Sequence, residues 1–349
     1  MSYSVFPIAA MADIPSLVRS FAATLGWTTT TESATSITVT HPSYIGAKTF
    51  GVSFETYVTS APAVIEEIRL TCTGSDSNHA KAISPILNTS QLNVDAAVVT
   101  VQPTKLHLMG ILEGGAAGAG RSFIAGVIEY GYNLYRHFYL GYVDKITAFD
   151  GGEVITGSRC WSVSNGSSGP YSRSYDSREW SYPFQANHAL VDNGGVFVGH
   201  ANNAQSWREF AIREPSTRGS LDTLLAVNGH KVVIGGFGDS INTHLMNSAK
   251  SPHIGVQMLT PVNLYIGLRS GSTQFFQAIG HPGGARLVHM EDLEPGAQIN
   301  IGTATWRVFP VFSKKAAAAM GGSAVPQLSR RFPTDNTSFY VGMAYLVSD

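Results

Sequence analysis

A chain of 349 residues is long enough for two globular domains, or for one large β-domain with insertions. Its hydrophobic share of 44% is ordinary, but only 13% of its residues are charged and the net charge is −1, which excludes the long-range basic field that gathers nucleic acid. Two cysteines, Cys72 and Cys160, exclude a disulfide framework and lack metal-ligand spacing, so both are expected as reduced, buried thiols.

Met1 to Ala12 shows no basic segment followed by an apolar stretch, and no apolar run approaches the roughly 20 residues that span a bilayer. Synthesis in the cytoplasm without a secretion signal is the expectation. From Asp13 to Trp27 the spacing predicts a short amphipathic helix, with Ile14, Leu17, Val18, Phe21 and Leu25 on one face. Asp13 is placed to cap it, Pro15 suits its first turn, Gly26 suits a left-handed stop, and Trp27 is expected to fold back on the apolar face.

Beyond the helix the period changes to two. Ser36 to His41, Lys48 to Val58 and Ile65 to Thr73 alternate apolar with polar residues and predict half-buried strands. Ala96 to Val101 and Lys105 to Leu112 form a further pair, broken at Gln102 and Pro103. The segments Phe123 to Tyr130 and Leu134 to Tyr142 are dense in aromatic and β-branched residues and flank Gly131-Tyr132-Asn133. They predict an antiparallel hairpin in a sheet core, ended by Asp150-Gly151-Gly152.

Residues 157 to 225 lose this periodicity and read as a loop-rich Tyr, Ser and Gly insertion or subdomain. Residues 1 to 156 then form an N-terminal β-rich domain carrying the opening helix, and residues 226 to 349 a C-terminal β-rich portion. In the latter, Val262 to Leu268, Phe275 to Gly280, Ala285 to Val288 and Ala304 to Phe312 are strand candidates. A polar linker runs over 313–335, and Ser338 to Val347 is a last strand expected to pair back into the core. The fold class is therefore mainly β, with antiparallel sandwich or barrel-like sheets and a short N-terminal amphipathic helix.

The chain lacks the constellations that carry chemistry. Gly114 to Gly120 has no Lys-Ser/Thr pair and precedes a strand, so no helix N-terminus faces an anion; Ile234 to Asp239 fails similarly. Neither a Gly-x-Ser-x-Gly elbow nor a His-Glu-x-x-His pair occurs. The 11 histidines are scattered, and His137, inside the aromatic hairpin, is expected to be packed or hydrogen-bonded rather than a ligand. Asp239 with His244, or His281 beside Gly283 and Gly284, makes a hydrolytic site only on paper. No catalytic, cofactor or metal residue is assigned. The surface candidates are aromatic and basic: Tyr171, Tyr175, Trp180, Tyr182 and Trp207, whose rigid rings bury much area for little entropy, and the dipeptides Lys314-Lys315 and Arg330-Arg331.

Two stretches resemble minor virion proteins of tailed bacteriophages. Tyr135 to Lys145, with its aromatic-Arg-His-aromatic core, leads into Phe149-Asp150-Gly151-Gly152-Glu153; near the C-terminus Trp306-Arg307-Val308-Phe309-Pro310 precedes Gly342-Met343-Ala344-Tyr345. The helix ending in Leu25-Gly26-Trp27 suits the same organisation. The resemblance covers both ends and the middle but not the loops from 157 to 220, and its motifs are structural. It implies a tail, baseplate or neck component in a symmetric assembly, located in the virion, with other phage structural proteins and copies of itself as partners. From charge, hydropathy and motifs, no cofactor, no nucleic acid and no membrane insertion are expected.

The leading expectation is thus a non-enzymatic assembly protein. The alternative is a receptor- or carbohydrate-binding module of the particle that uses the aromatic loops. A third, weaker reading is a cell-wall or polysaccharide hydrolase, for which Glu209, Glu214, Asp239 and Glu291 are available but ungrouped carboxylates.

Overall fold

The strands densest in β-branched and aromatic residues form the middle layer of the protein, and their burial explains their composition. In the computed structural model the described residues are 2–41, 51–59, 65–73, 80–83, 103–113, 122–130, 134–146, 153–157, 161–162, 196–199, 207–210, 230–234, 259–262, 264–270, 273–290, 293–310, 332–334, 337–339 and 341–348. The first strands are β1 (Ser2–Pro7), β2 (Thr28–Ser33), β3 (Ser36–Thr40), β4 (Gly51–Thr59), β5 (Ile65–Thr73) and β6 (Ala80–Ile83), with helix α1 (Ile14–Leu25) after β1. The middle ones are β7 (Pro103–Ile111), β8 (Phe123–Tyr130), β9 (Leu134–Lys145), β10 (Glu153–Gly157), β11 (Trp161–Ser162), β12 (Val196–Gly199), β13 (Trp207–Phe210) and β14 (His230–Ile234). The last are β15 (Thr260–Pro261), β16 (Leu264–Ser270), β17 (Thr273–Pro282), β18 (Ala285–His289), β19 (Gln298–Ile301), β20 (Ala304–Pro310), β21 (Phe332–Thr334), β22 (Thr337–Phe339) and β23 (Val341–Ser348).

Antiparallel pairing orders the central sheet β1-β7-β8-β9-β10-β12-β13. The expected hairpin is its spine: β8 and β9 pair without slippage from Phe123 opposite Gly141 to Tyr130 opposite Leu134. Successive side chains of a strand point to opposite faces. On one face Ile124, Ile128, Phe138, Leu140 and Tyr142 meet Val39, Val52, Phe54 and Leu70 of a second sheet, ordered β11-β6-β5-β4-β3-β2, together with α1. On the other face Phe123, Ala125, Val127, Tyr139 and Val143 meet Leu287, Val308, Phe309, Met343 and Tyr345 of a third sheet, ordered β15-β18-β23-β20-β19. Because both faces are covered, β8 and β9 read as near-continuous apolar runs rather than as alternation. Each large side chain removed from water there contributes about 1.5–3 kcal/mol.

The result is a layered sandwich, and among the described residues no sheet closes into a barrel. The C-terminal strand returns to the core as expected, with β23 between β18 and β20. The far end of β9 pairs with β17, whose other edge carries β16 and β14. Within 157–225 the described pieces are strands: β12 and β13 extend the central sheet, and β11 extends the second. Among the strands not read from sequence, β1 and β2 each lie on a sheet edge. Ala96 to Val101, Asp150 to Gly152, Gly114 to Gly120 and most of the linker 313–335 lie outside the described residues, as does Cys160; the side chain of Cys72 is likewise not described.

Helix α1 buries Ile14, Val18, Phe21 and Ala22, and Gly26 ends it at φ 93°, where the Trp27 N–H donates to Ala22 O at 3.0 Å. Trp27 folds into the same core as the helix face, as expected. Asp13 departs from expectation. Its carboxylate turns back and accepts from the N–H groups of Ala9 and Ala10 at 2.9 and 3.1 Å, and no side-chain bond caps α1. The cause is the 3-10 turn Met11–Asp13, which places Asp13 at the end of one helical turn as well as the start of the next.

Candidate functional site

Of the surface candidates, only Trp207 falls among the described residues. It begins β13, opposite Gly199 of β12, on the outer strand of the central sheet as described. Tyr171, Tyr175, Trp180, Tyr182, Lys314, Lys315, Arg330 and Arg331 lie outside the described residues, as do Glu214, Asp239, His244 and Glu291. Glu209 sits two residues after Trp207 in β13, opposite Phe197. The structure therefore tests no grouping of these side chains, and the ionisable clusters it does display are different ones.

The deepest lies between the central and third sheets. His137 of β9 is fully buried, with Nδ1 3.0 Å from the Tyr345 hydroxyl and Nε2 3.0 Å from Pro310 O. A carbonyl can only accept, so Nε2 carries the proton and Nδ1 accepts from Tyr345. Burial holds this imidazole neutral, with its pKa lowered to about 4. The residue is a hydrogen-bonded core histidine that ties β9 to β20 and β23.

A second group surrounds the β17–β18 turn. The buried hydroxyl of Tyr139 donates to Gly283 O at 2.9 Å, and burial raises its pKa well above the ordinary phenol value. Gly284 holds a left-handed φ of 62°, and a Cβ there would fall 2.1 Å from the Phe123 ring. His281 Nε2 lies 2.9 Å from Arg286 Nη2 and 3.3 Å from Asp144 Oδ2. One ring nitrogen cannot serve both. Burial, and then the Arg286 charge, lower the His281 pKa, so the neutral ring accepts from Arg286; protonation would turn it to donate to Asp144 instead. Arg286 also donates to Ala285 O at 2.8 Å and lies over the Trp306 ring. These contacts close the turn over the end of β9.

The third group is at the edge of the central sheet and is the one with the layout of a catalytic relay. The Tyr3 hydroxyl is 3.0 Å from His107 Nδ1, and His107 Nε2 is 3.1 Å from Glu129 Oε2. Lys105 Nζ reaches the other oxygen of Glu129 at 3.2 Å. The Arg307 guanidinium of the third sheet lies 4.8 Å from the centre of the Tyr3 ring, and Phe309 packs on His107. Phenol, imidazole and carboxylate in series form the order of a nucleophile, its base and an orienting acid. The resting protonation states run in one direction along it. Burial raises the Tyr3 pKa against the lowering effect of Arg307, so the phenol stays protonated and donates to His107. The hydrogen bond from His107 lowers the pKa of Glu129, so the carboxylate stays ionised as acceptor. The group is a donor-to-acceptor chain across β1, β7 and β8 that clasps the edge strand to the sheet.

Sequence reasoning missed this group, because Tyr3 and Glu129 are brought to His107 by strand pairing alone. A signal was present. Lys105, His107 and Glu129 are isolated ionisable residues in strands that are otherwise apolar on both faces. Among the described residues no three His, Cys, Asp or Glu side chains gather as a metal site requires. In comparisons with known proteins, no family model matches the chain and no curated sequence is similar to it.

Proposed function

We propose that this chain is a structural component of a tailed-phage virion, at the tail, baseplate or neck, acting through subunit interfaces rather than catalysis. Its partners on this reading are other phage structural proteins and further copies of itself. One observation supports it above the rest: the three ionisable clusters described above join strands or layers. His137 bridges two sheets, Tyr139 and Arg286 hold a turn over the central sheet, and the Tyr3–His107–Glu129 chain fastens an edge strand. A body fastened internally in this way presents its surfaces and sheet edges for contact, and repetition by symmetry multiplies individually weak contacts. The sparse charge of the chain works in the same direction, because colloidal repulsion between copies is weak.

Quantitative mass spectrometry of purified particles of the encoding phage tests the proposal. The chain is expected at a low multiple of three or six copies, against the portal and major capsid proteins as internal standards. Its absence from the particles would overturn the reading.

A further inference from the structure

The edge strand β1 has a property that its clasp makes usable. Ile8 N–H donates to Thr104 O at 3.1 Å, in the register that places Ser2 opposite Gly110 and Pro7 opposite Lys105. In an antiparallel ladder, residues alternate between bonding the neighbouring strand and facing away from it. Ser4 and Phe6 therefore turn their N–H and C=O groups toward β7, and Tyr3, Val5 and Pro7 turn theirs outward. Pro7 is tolerated because the N–H it lacks would point away from the sheet. Among the described residues β1 has a single strand neighbour, and Val5 is 43% exposed.

Proteins commonly blunt such an edge with lysine, inward charge or a bulge. The outer strand β2 of the second sheet has its register broken between Thr31 and Ser33, with Glu32 at the break. Strand β1 carries no charged residue and pairs with β7 without interruption, and Tyr3 is held in place by His107 and covered by Arg307.

We infer that β1 is a homotypic docking strand, pairing antiparallel with β1 of a second copy of this chain about a two-fold axis through Ser4. This register follows from the outward groups. It sets Tyr3 opposite the second copy's Val5, so both outward N–H groups of each copy meet a carbonyl. Centring the axis on Val5 instead would set Tyr3 against Pro7, which has no N–H to offer. The Ser4 register also places an aromatic ring beside an exposed β-branched side chain, a favourable cross-strand pair, and brings no like charges of the strand together. The central sheet then runs continuously through two molecules. Six residues of strand bury less than the roughly 1,200–2,000 Å² of a stable interface, so the free dimer is weak and concentration-dependent.

The pairing rests on the assembly reading for its setting, and the two fail separately. A chain present in particles yet monomeric removes the pairing alone. A chain that dimerises through β1 yet is absent from particles removes the virion reading alone. The test uses the full chain. Ser4→Cys places two thiols on the axis with Cα atoms about 4.5 Å apart, inside the roughly 4.4–6.8 Å that a disulfide spans. Ser2→Cys leaves them about 14 Å apart along the strand. Under mild oxidation Ser4→Cys is expected to form a covalent dimer, while Ser2→Cys and the unsubstituted chain, with its own Cys72 and Cys160, do not. In sedimentation, Val5→Pro removes an outward N–H without touching the β7 ladder and is expected to weaken association at least about tenfold. Val5→Lys, which leaves the backbone unchanged, is expected to do the same while melting where the unsubstituted chain does. A monomer at all concentrations, equal cross-linking through Ser2 and Ser4, or a dimer unaffected by both Val5 variants would overturn the inference.

Discussion

At His137 one buried imidazole holds two sheets together, and its protonation state sets a pH dependence. Its pKa is lowered in the folded protein to about 4, against an ordinary value of 6.5. Between those values the unfolded chain binds the proton that the folded one excludes. Stability from this group is therefore complete above pH 6.5 and is lost as pH falls toward 4. The loss amounts to about 3 kcal/mol. Urea titrations from pH 7.5 to 4 are expected to show this fall, and His137→Gln, which can keep a hydrogen bond but cannot titrate, is expected to remove that part of the slope. An unchanged slope in His137→Gln would contradict the account. Gly126 is the second residue with a defined cost: a Cβ there would fall 2.0 Å from the Phe138 ring, which itself packs edge-on against Phe54. Gly126→Ala is expected to lose about 1–3 kcal/mol by overpacking, read from the denaturant midpoint. The histidine was legible in sequence as a packed residue because it sits inside an aromatic hairpin. The partners that fasten it were not, since Tyr345 lies 208 residues away and nothing local points to it.

Helix α1 and the β8–β9 hairpin are the elements most completely readable from sequence, because in both the pattern and the local stop signals agree. Gly26 takes the left-handed conformation that its place after the apolar face requires, and the hairpin register runs unbroken to Tyr130 and Leu134. Phe21 lies fully within the helix–sheet core, whereas Arg19 reaches out to Thr31 Oγ1 at 2.6 Å. Phe21→Ala is expected to cost about 3–5 kcal/mol and Arg19→Ala less than about 1 kcal/mol, both by urea denaturation; equal costs would contradict the assigned face. The edge strands were harder to read. Ser2 to Pro7 is short and half apolar, and Thr28 to Ser33 is hydroxyl-rich and exposed, so neither carries an alternation strong enough to announce a strand. Both form because a neighbouring strand offers a free ladder, which is a tertiary cause. Tyr3→Phe isolates the clasp on β1. It removes the donor to His107 and is expected to cost about 1–2 kcal/mol and to speed amide exchange at Ser4 and Phe6, whose N–H groups face β7.

For the whole molecule, a chain with few charged residues and internally fastened layers suits the proposed assembly role. The antiparallel sandwich was legible from the absence of long amphipathic helices between strands. The assignment of both faces of one central sheet to separate cores was not, because periodicity alone cannot distinguish a strand buried on both sides from any other short apolar run. The sites that sequence reasoning placed in the aromatic loops and the basic linker remain surface expectations, while the structure displays polar groups at the layer boundaries. Cryo-electron microscopy of purified particles decides the assembly role. Density is expected for a three-layer sandwich with an N-terminal helix, repeated by the symmetry of the tail, baseplate or neck, each copy touching its neighbours. A reconstruction in which every ordered density belongs to other chains would contradict it.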